Sequence, residues 1–301
     1  MFNFAIDTKM NKLYNKIRIL QGGFFMKIYA FADEASPSID GQIVAMKRNG
    51  LNGIEIRNVD GTNVSSITVD KAKEVKAKFD ASGLEVWSVG SPIGKIVITD
   101  DFEKHLDSLR HTCEIANILD SKNIRMFSFF IPKGTNADDY KNEVIEKLGK
   151  MMEVSKQYNV NLCHENEKGI YGDIARRCLD IHKALPEIKC VFDPANFIQS
   201  GQDTKEAYDM LSNYVYYMHI KDALEDGNVV PAGQGIGRLP ELIKRFKGSA
   251  TDCVTIEPHL KVFDGLKNLE QSGEEIKVGL KTYGSGDEAF DVACNALKVI
   301  L

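Results

Sequence analysis

Four short apolar runs in the second half of the chain each end in a residue able to ligate a cation. They read VNLCHENE (Val160–Glu167), KCVFDPAN (Lys189–Asn196), VYYMHIKD (Val215–Asp222) and DCVTIEPHL (Asp252–Leu260), and the candidate ligands are Glu165, Asp193, His219 and Glu257. Read with the period of two that a strand imposes, the last three runs keep one parity apolar: Cys190 and Phe192; Tyr216, Met218 and Ile220; Val254 and Ile256. The other parity ends in Asp193, His219 and Glu257. In the first run Leu162 takes the apolar parity, Cys163 and Glu165 the other, and His164 breaks the pattern. A lone Asp before Pro is ordinarily a turn residue, and a lone His in an apolar run a hydrogen-bonded core group. Three carboxylates brought together are different. Unpaired, they repel one another and lose hydration, and a divalent cation removes both costs. Three carboxylates and one imidazole form a hard, oxygen-rich donor set, suited to Mn²⁺ or Mg²⁺, with Co²⁺ or Zn²⁺ as substitutes.

Such residues need a scaffold that brings strand ends together. From Met26 the chain alternates short strands and helices. Strands are expected over Lys27–Phe31, Gly53–Arg57, Leu84–Val89 and Ile124–Phe130, followed by the four ligand runs. Helices are expected over Ser38–Asn49, Val69–Ala81, Asp101–Leu119, Tyr140–Tyr158, Asp173–Leu185, Thr204–Asn213, Pro240–Phe246 and Asp287–Leu301. Strict alternation of about eight strands and eight helices implies an α/β fold, a (β/α)8 TIM barrel, with residues 26–301 forming a single domain. In that architecture an inward side chain at the C-terminal end of a strand stands at the mouth, where active sites lie.

The same parity argument supplies further candidates. In Gly53–Arg57, Ile54 and Ile56 face one way and Glu55 and Arg57 the other, either as inner functional groups or as a Glu–Arg pair closing the interior. Lys221 shares the parity of His219, and His259 that of Glu257, one pleat nearer the mouth. Asn196 follows the candidate aspartate and can reach a substrate hydroxyl. Gly90–Lys95 is either a plain turn or an anion cradle ending in Lys95. Lys95 and Arg57 are compatible with a phosphate but do not require one. His105 and His111 are expected on the solvated flank of their helix, and the glycine-rich VVPAGQGIG (Val229–Gly237) as a mobile rim or lid.

Composition narrows the function classes. The 301 residues carry a net charge of -5, which argues against a general nucleic-acid surface. Six cysteines form no CxxC pair, so neither a zinc ribbon nor a redox dithiol is indicated, and reduced cytoplasmic thiols are the expectation. No apolar stretch has the length of a membrane span. Residues 1–25 read as an N-terminal extension without the h-region of a signal peptide. Gln21–Met26 can be encoded with a purine-rich ribosome-binding site just before an ATG. The expectation is therefore a translated leader, with Met26 as the natural start and a weak amphipathic helix around Asn11–Leu20.

The motifs HENEKGIYGD (His164–Asp173), FDPANF (Phe192–Phe197), HIKDA (His219–Ala223), VVPAG (Val229–Gly233) and EPHL (Glu257–Leu260) resemble the xylose-isomerase-like sugar-phosphate isomerase/epimerase family. The likeness extends to FADEAS (Phe31–Ser36), IEIRNVDG (Ile54–Gly61), GSPIGK (Gly90–Lys95) and RMFSFF (Arg125–Phe130). It implies that the family's four metal ligands fall on Glu165, Asp193, His219 and Glu257. It also implies that Glu165 and Glu257 flank the substrate, one removing a proton beside a metal-bound carbonyl and the other returning it through an enediolate. Relatives often carry an acidic residue where this chain has Gln234. The implied activity is isomerisation or epimerisation of a ketose, sugar phosphate or related keto-polyol in a homodimer or homotetramer. The alternatives are a dehydratase of a cyclic keto-polyol and a non-catalytic sugar-binding protein. A repair endonuclease on this barrel would need several more histidines than the six present.

Overall fold

Eight parallel strands close on themselves: β1 (Lys27–Ala30), β2 (Gly53–Ile56), β3 (Glu85–Gly90), β4 (Asn123–Met126), β5 (Asn161–Glu165), β6 (Lys189–Phe192), β7 (Val215–Ile220) and β8 (Cys253–Ile256). β8 completes the ring against β1, with Ile28 opposite Val254 and Ala30 opposite Ile256. The computed structural model describes residues 26–249, 251–263 and 277–301. The extension expected over residues 1–25, its weak helix included, and residues 264–276 of the polar stretch after β8 lie outside the described residues.

Helices α1 (Ile39–Arg48), α2 (Val69–Ser82), α3 (Phe102–Ile118), α4 (Lys141–Gln157), α5 (Ala175–Ala184), α6 (Pro194–Gln199), α7 (Thr204–Leu211), α8 (Leu239–Phe246) and α9 (Gly286–Ile300) join the strands. Six begin at a side chain that accepts a first-turn N–H: Ser38, Thr68, Asp101, Asp193, Asp203 and Ser285. α2 stops at Gly83, whose φ of 75° is the left-handed conformation that ends helices. The TIM barrel read from strand–helix alternation is thus the observed fold.

The strand parities sort as expected except at Tyr216, which stacks on Trp87 at 6.0 Å beside the inner cluster. Leu162, Phe192, Met218, Ile220, Val254 and Ile256 turn outward into the main core. Tyr29, Cys163, Val191, Tyr217 and Cys253 fill the lower barrel with Trp87, whose ring stacks on Tyr29 at 5.2 Å. The cysteines are six buried, unpaired thiols.

Several local expectations change. α6 was not expected, because Asp193-Pro194 reads as a turn; here Asp193 caps a short helix and Pro194 sits in its first turn, where no N–H is needed. β4 ends at Met126, and Phe129 takes a φ of 67° that turns the chain out of the sheet. His105 is buried on the face of α3 that carries Leu109 one turn on, and its Nε2 accepts the Gly94 N–H at 2.8 Å. His111 bonds the Ile67 carbonyl at 2.9 Å. With Gly94 N–H on His105, Ile93 N–H on Ser91 Oγ and Lys95 N–H on the Pro92 carbonyl, residues 90–95 form a plain turn, not an anion cradle. The glycine-rich loop is pinned as well. Asp222 accepts the N–H groups of Gly233, Gly235 and Gly237 at 2.9–3.0 Å.

Candidate metal centre

The four strand ends converge. His219 Nδ1 lies 3.0 Å from Glu165 Oε1, 3.7 Å from Asp193 Oδ2 and 3.6 Å from Glu257 Oε2. One donor atom from each of these residues lies within 4.8 Å of the others, and all four residues are buried. Local sequence sets the geometry of Asp193. Its Oδ1 accepts the Asn196 N–H of α6 at 2.9 Å, while Asn166 clamps its backbone through two bonds of 2.9 Å. Oδ2 is left facing the centre, buried, with the Lys221 ammonium 3.0 Å away as its charge partner. Three buried carboxylates and an imidazole, each with a donor atom turned to one point, are the donor set that suits a hard divalent cation.

A second group, Glu34, Glu257 and His259, shares Glu257 with the first. Arg57 reaches Glu34 Oε1 at 3.0 Å and Glu257 Oε1 at 3.3 Å.

Each glutamate of the centre turns its other oxygen to an arginine. Arg125 Nε lies 3.3 Å from Glu165 Oε2, and Arg57 lies against Glu257 Oε1. Arg57 also forms a two-pronged bond to Asp33 at 2.9 and 3.0 Å and is held between the rings of Phe31 and Phe263, at 4.5 and 4.7 Å. Lys221 Nζ lies 2.8 Å from Glu257 Oε2 and 3.0 Å from Asp193 Oδ2.

These charges set the ionisation of the buried groups. Burial works against a charged His219 ring, but the carboxylates of Glu165 and Glu55 outweigh it and hold its pKa well above the ordinary value. Burial would raise Glu257, yet Lys221 and His259 hold it well below the usual range. Glu34 is lowered against its burial by His259 and Arg57. A cation arriving at Nδ1 therefore competes with a proton.

A cavity of about 230 Å³ opens over this cluster. Glu165 and Glu257 line it together with all five predicted substrate contacts: Asn196, Lys221, His259, Arg57 and Lys95. Asp193 and His219 are not on its wall. Asn196 Nδ2 is spent on Glu165 Oε1 at 3.2 Å and the Asn166 carbonyl at 2.9 Å. Lys95 pairs with Glu167 at 2.7 Å. His259 has a φ of 44°, and its N–H donates to Glu34 Oε2 at 2.6 Å.

Glu55 and Arg57 do not form the pair that their shared parity suggested. Arg57 goes to Asp33 and Glu34 in the turn after β1, and Glu55 goes to His219, with Oε2 3.1 Å from Nε2. Asp33, Glu34 and the role of Glu55 were the residues sequence reasoning missed. The inner parity of β2 was the visible signal for Glu55, and the FADEAS motif that for Asp33 and Glu34.

Residues 43–281 match the xylose isomerase-like TIM barrel family. No curated protein sequence matches the chain. Among solved structures, the probable 3-DHS dehydratase AsbF of Bacillus anthracis superposes with a TM-score of 0.69 at 15% identity, over 91% of this chain and 99% of that one. The IOLI protein with a bound zinc atom gives 0.68 at 14% identity, over 91% and 98%. The D-allulose 3-epimerase of Methylomonas sp. gives 0.68 at 14% identity, over 93% and 99%. At these identities the superpositions speak for the fold, and together with the family match over most of the barrel they establish that this chain belongs to the xylose isomerase-like TIM barrel family.

Proposed function

We propose that the protein is a divalent-metal-dependent isomerase or epimerase of a ketose, sugar phosphate or related keto-polyol, with Mn²⁺ or Mg²⁺ as the first choice of cation. The observation that carries this reading is the approach of Glu165 and Glu257, from β5 and from the end of β8, to one imidazole nitrogen beneath a cavity they both line. Glu165, Asp193, His219 and Glu257 would hold the cation. When bound, it would polarise a substrate carbonyl and acidify the adjacent C–H.

One glutamate, ionised, would take that proton, and the other, protonated at the start of the turnover, would give its own to the opposite face, which inverts the carbon. Delivery to the neighbouring carbon gives 1,2-isomerisation from the same enediolate. Arg57 and Arg125 each fix the outer oxygen of one glutamate, so both carboxylates are oriented before substrate arrives. Lys221 is placed to receive the developing oxyanion. Asn196 and His259 line the cavity and would meet substrate hydroxyl groups, Asn196 through Oδ1 because its Nδ2 is already bonded. A cavity of about 230 Å³ is on the scale of a single small polyol. The likeness to an epimerase structure supports this reading, and the likeness to a dehydratase structure supports its nearest alternative, which begins with the same proton abstraction.

The test is incubation of Mn²⁺- or Mg²⁺-loaded protein with a panel of ketoses in D₂O, followed by NMR. Deuterium should enter beside the carbonyl and stop entering in Glu257→Gln and Glu165→Gln. Loss of water from the substrate would instead identify a dehydratase. Tight sugar binding without exchange would identify a binding protein, and failure to bind any divalent metal would overturn the reading.

A further inference from the structure

Glu55 is a carboxylate with no exposure at all, in the middle of the barrel. An isolated charge there would be strongly disfavoured. It lies beside a break in the sheet, where β3 carries one extra residue, Trp87. The register of β2 against β3 shifts between Ile54 and Glu55, and Gly53 lies so close to β3 that a Cβ would meet the Glu85 carbonyl oxygen at 1.9 Å. From the inner parity of β2, Glu55 reaches across the barrel to β7. Its Oε1 accepts from the Tyr217 hydroxyl at 2.8 Å and Ser88 Oγ at 3.3 Å. Its Oε2 lies 3.1 Å from His219 Nε2.

We infer that Glu55 is a positioning residue for the cation centre, holding the His219 ring with Nε2 as donor so that Nδ1 presents its lone pair to the cation. This rests on the metal-dependent reading above. An ionised carboxylate can only accept, so the nitrogen facing it must carry hydrogen. The other nitrogen is the one that faces Glu165, Asp193 and Glu257. Tyr217 and Ser88 hold Glu55 from the far side, so the ring cannot rotate without breaking a buried network. A carboxylate behind a ligating histidine also raises the ring's basicity and adds negative charge to the site, and loss of such a partner lowers metal affinity by roughly 10–100-fold.

The experiment uses the full chain, with Mn²⁺ and Co²⁺ as probes. Free Mn²⁺ is followed by EPR during titration of the wild type and of Glu55→Gln, which keeps size and removes charge. We expect Glu55→Gln to bind Mn²⁺ roughly 10–100-fold more weakly at unchanged stoichiometry. Equal affinity in a folded Glu55→Gln would overturn the inference while leaving the metal-dependent reading intact. The second measurement needs no variant. In Co²⁺-loaded wild type, a ligated ring with a buried Nε2–H gives a shifted, exchangeable proton resonance that disappears in D₂O. Its absence would overturn the assignment of Nδ1 as ligand even if Glu55→Gln did not fold. Failure of the wild type to bind either metal would sink the metal-dependent reading itself, and this inference with it.

Discussion

Gly90 lies against the ring of Phe31, so close that a Cβ at position 90 would meet Phe31 Cε1 at 2.5 Å. That ring is fully buried and touches three parts of the centre. Arg57 stacks on it at 4.5 Å, Arg125 lies over it at 5.4 Å, and the His219 ring meets it edge-on at 5.3 Å. Phe31 is therefore the common support of both arginine–glutamate pairs, and the glycine at the end of β3 makes room for it.

Gly90→Ala should displace the Phe31 ring and with it both arginines. We expect a loss of about 1–3 kcal/mol in stability, the usual scale for overpacking, together with weaker Mn²⁺ binding. Urea unfolding and an EPR titration measure the two separately. A destabilised variant with unchanged Mn²⁺ affinity would show that Phe31 supports the fold but not the ligands.

Asp222 fixes the loop from Val229 to Gly237 through the N–H groups of three glycines and of Ala223. The glycines are needed because a Cβ at Gly235 or Gly237 would come within 2.3 or 2.5 Å of Asp222 Oδ1. Asp222→Asn turns one acceptor oxygen into a donor facing the same N–H groups. Hydrogen bonds to a charged acceptor contribute about 1.5–3 kcal/mol each, so several kcal/mol of local stability should go. Hydrogen exchange should accelerate over residues 233–237 and stay slow in the barrel strands. Uniform acceleration across the barrel would mean that the loop is not a separate unit.

Mild acid should weaken the fold through its buried histidines. Burial pushes His105 and His182 down from 6.5 to about 4, and His164 well below its ordinary value. These rings are neutral when folded, so their contribution is complete above pH 6.5. It falls as the unfolded chain takes up protons between pH 6.5 and 4. His219 has the opposite sign, since its raised pKa gives a contribution already full below 6.5, so it adds little slope in this window. Between pH 6.5 and 5 the loss should be about 1.5 kcal/mol for each of His105 and His182. Urea unfolding at the two pH values measures it. His105→Gln, whose amide oxygen can still accept the Gly94 N–H, should remove its share of the slope.

How far the sequence exposed this site follows from the range of each interaction. Glu165, Asp193, His219 and Glu257 were legible because strand parity is a property of adjacent residues, and each ligand ends its own run. The barrel followed from the alternation of elements. His105 was misplaced although its spacing to Leu109 was on the page, because a histidine does not announce whether it is buried. The Glu55–His219 contact was not legible at all. It joins β2 to β7, which are not neighbours in the barrel, and which inner side chains meet across it depends on the stagger of the closed sheet and on the register shift at Ile54. Asp33 and Glu34 were hidden for the same reason, since they serve Arg57 from a turn 24 and 23 residues away in sequence.

Lys221 occupies the electrostatic place of the cation, and that makes its removal informative. Its ammonium lies within 3.0 Å of Asp193 Oδ2 and Glu257 Oε2, two of the four donor atoms that converge on the centre. Burial disfavours the charge, but Asp193 and Glu257 hold the lysine pKa above its ordinary value, so the competing charge is present at any working pH. Lys221→Met removes it while keeping much of the aliphatic stem. Without metal, the carboxylates lose a partner and the melting temperature should fall. With metal, the cation no longer displaces a neighbouring positive charge. A unit charge about 4 Å from a divalent ion costs roughly 2 kcal/mol even at the dielectric of water, so Mn²⁺ should bind at least about tenfold more tightly. The rise in melting temperature on adding Mn²⁺ should accordingly exceed that of the wild type. Turnover should drop in the same variant, because the group proposed to receive the oxyanion is gone. Tighter metal with slower turnover would separate the two roles of Lys221. Unchanged or weaker Mn²⁺ affinity would show that the ammonium does not compete for the site.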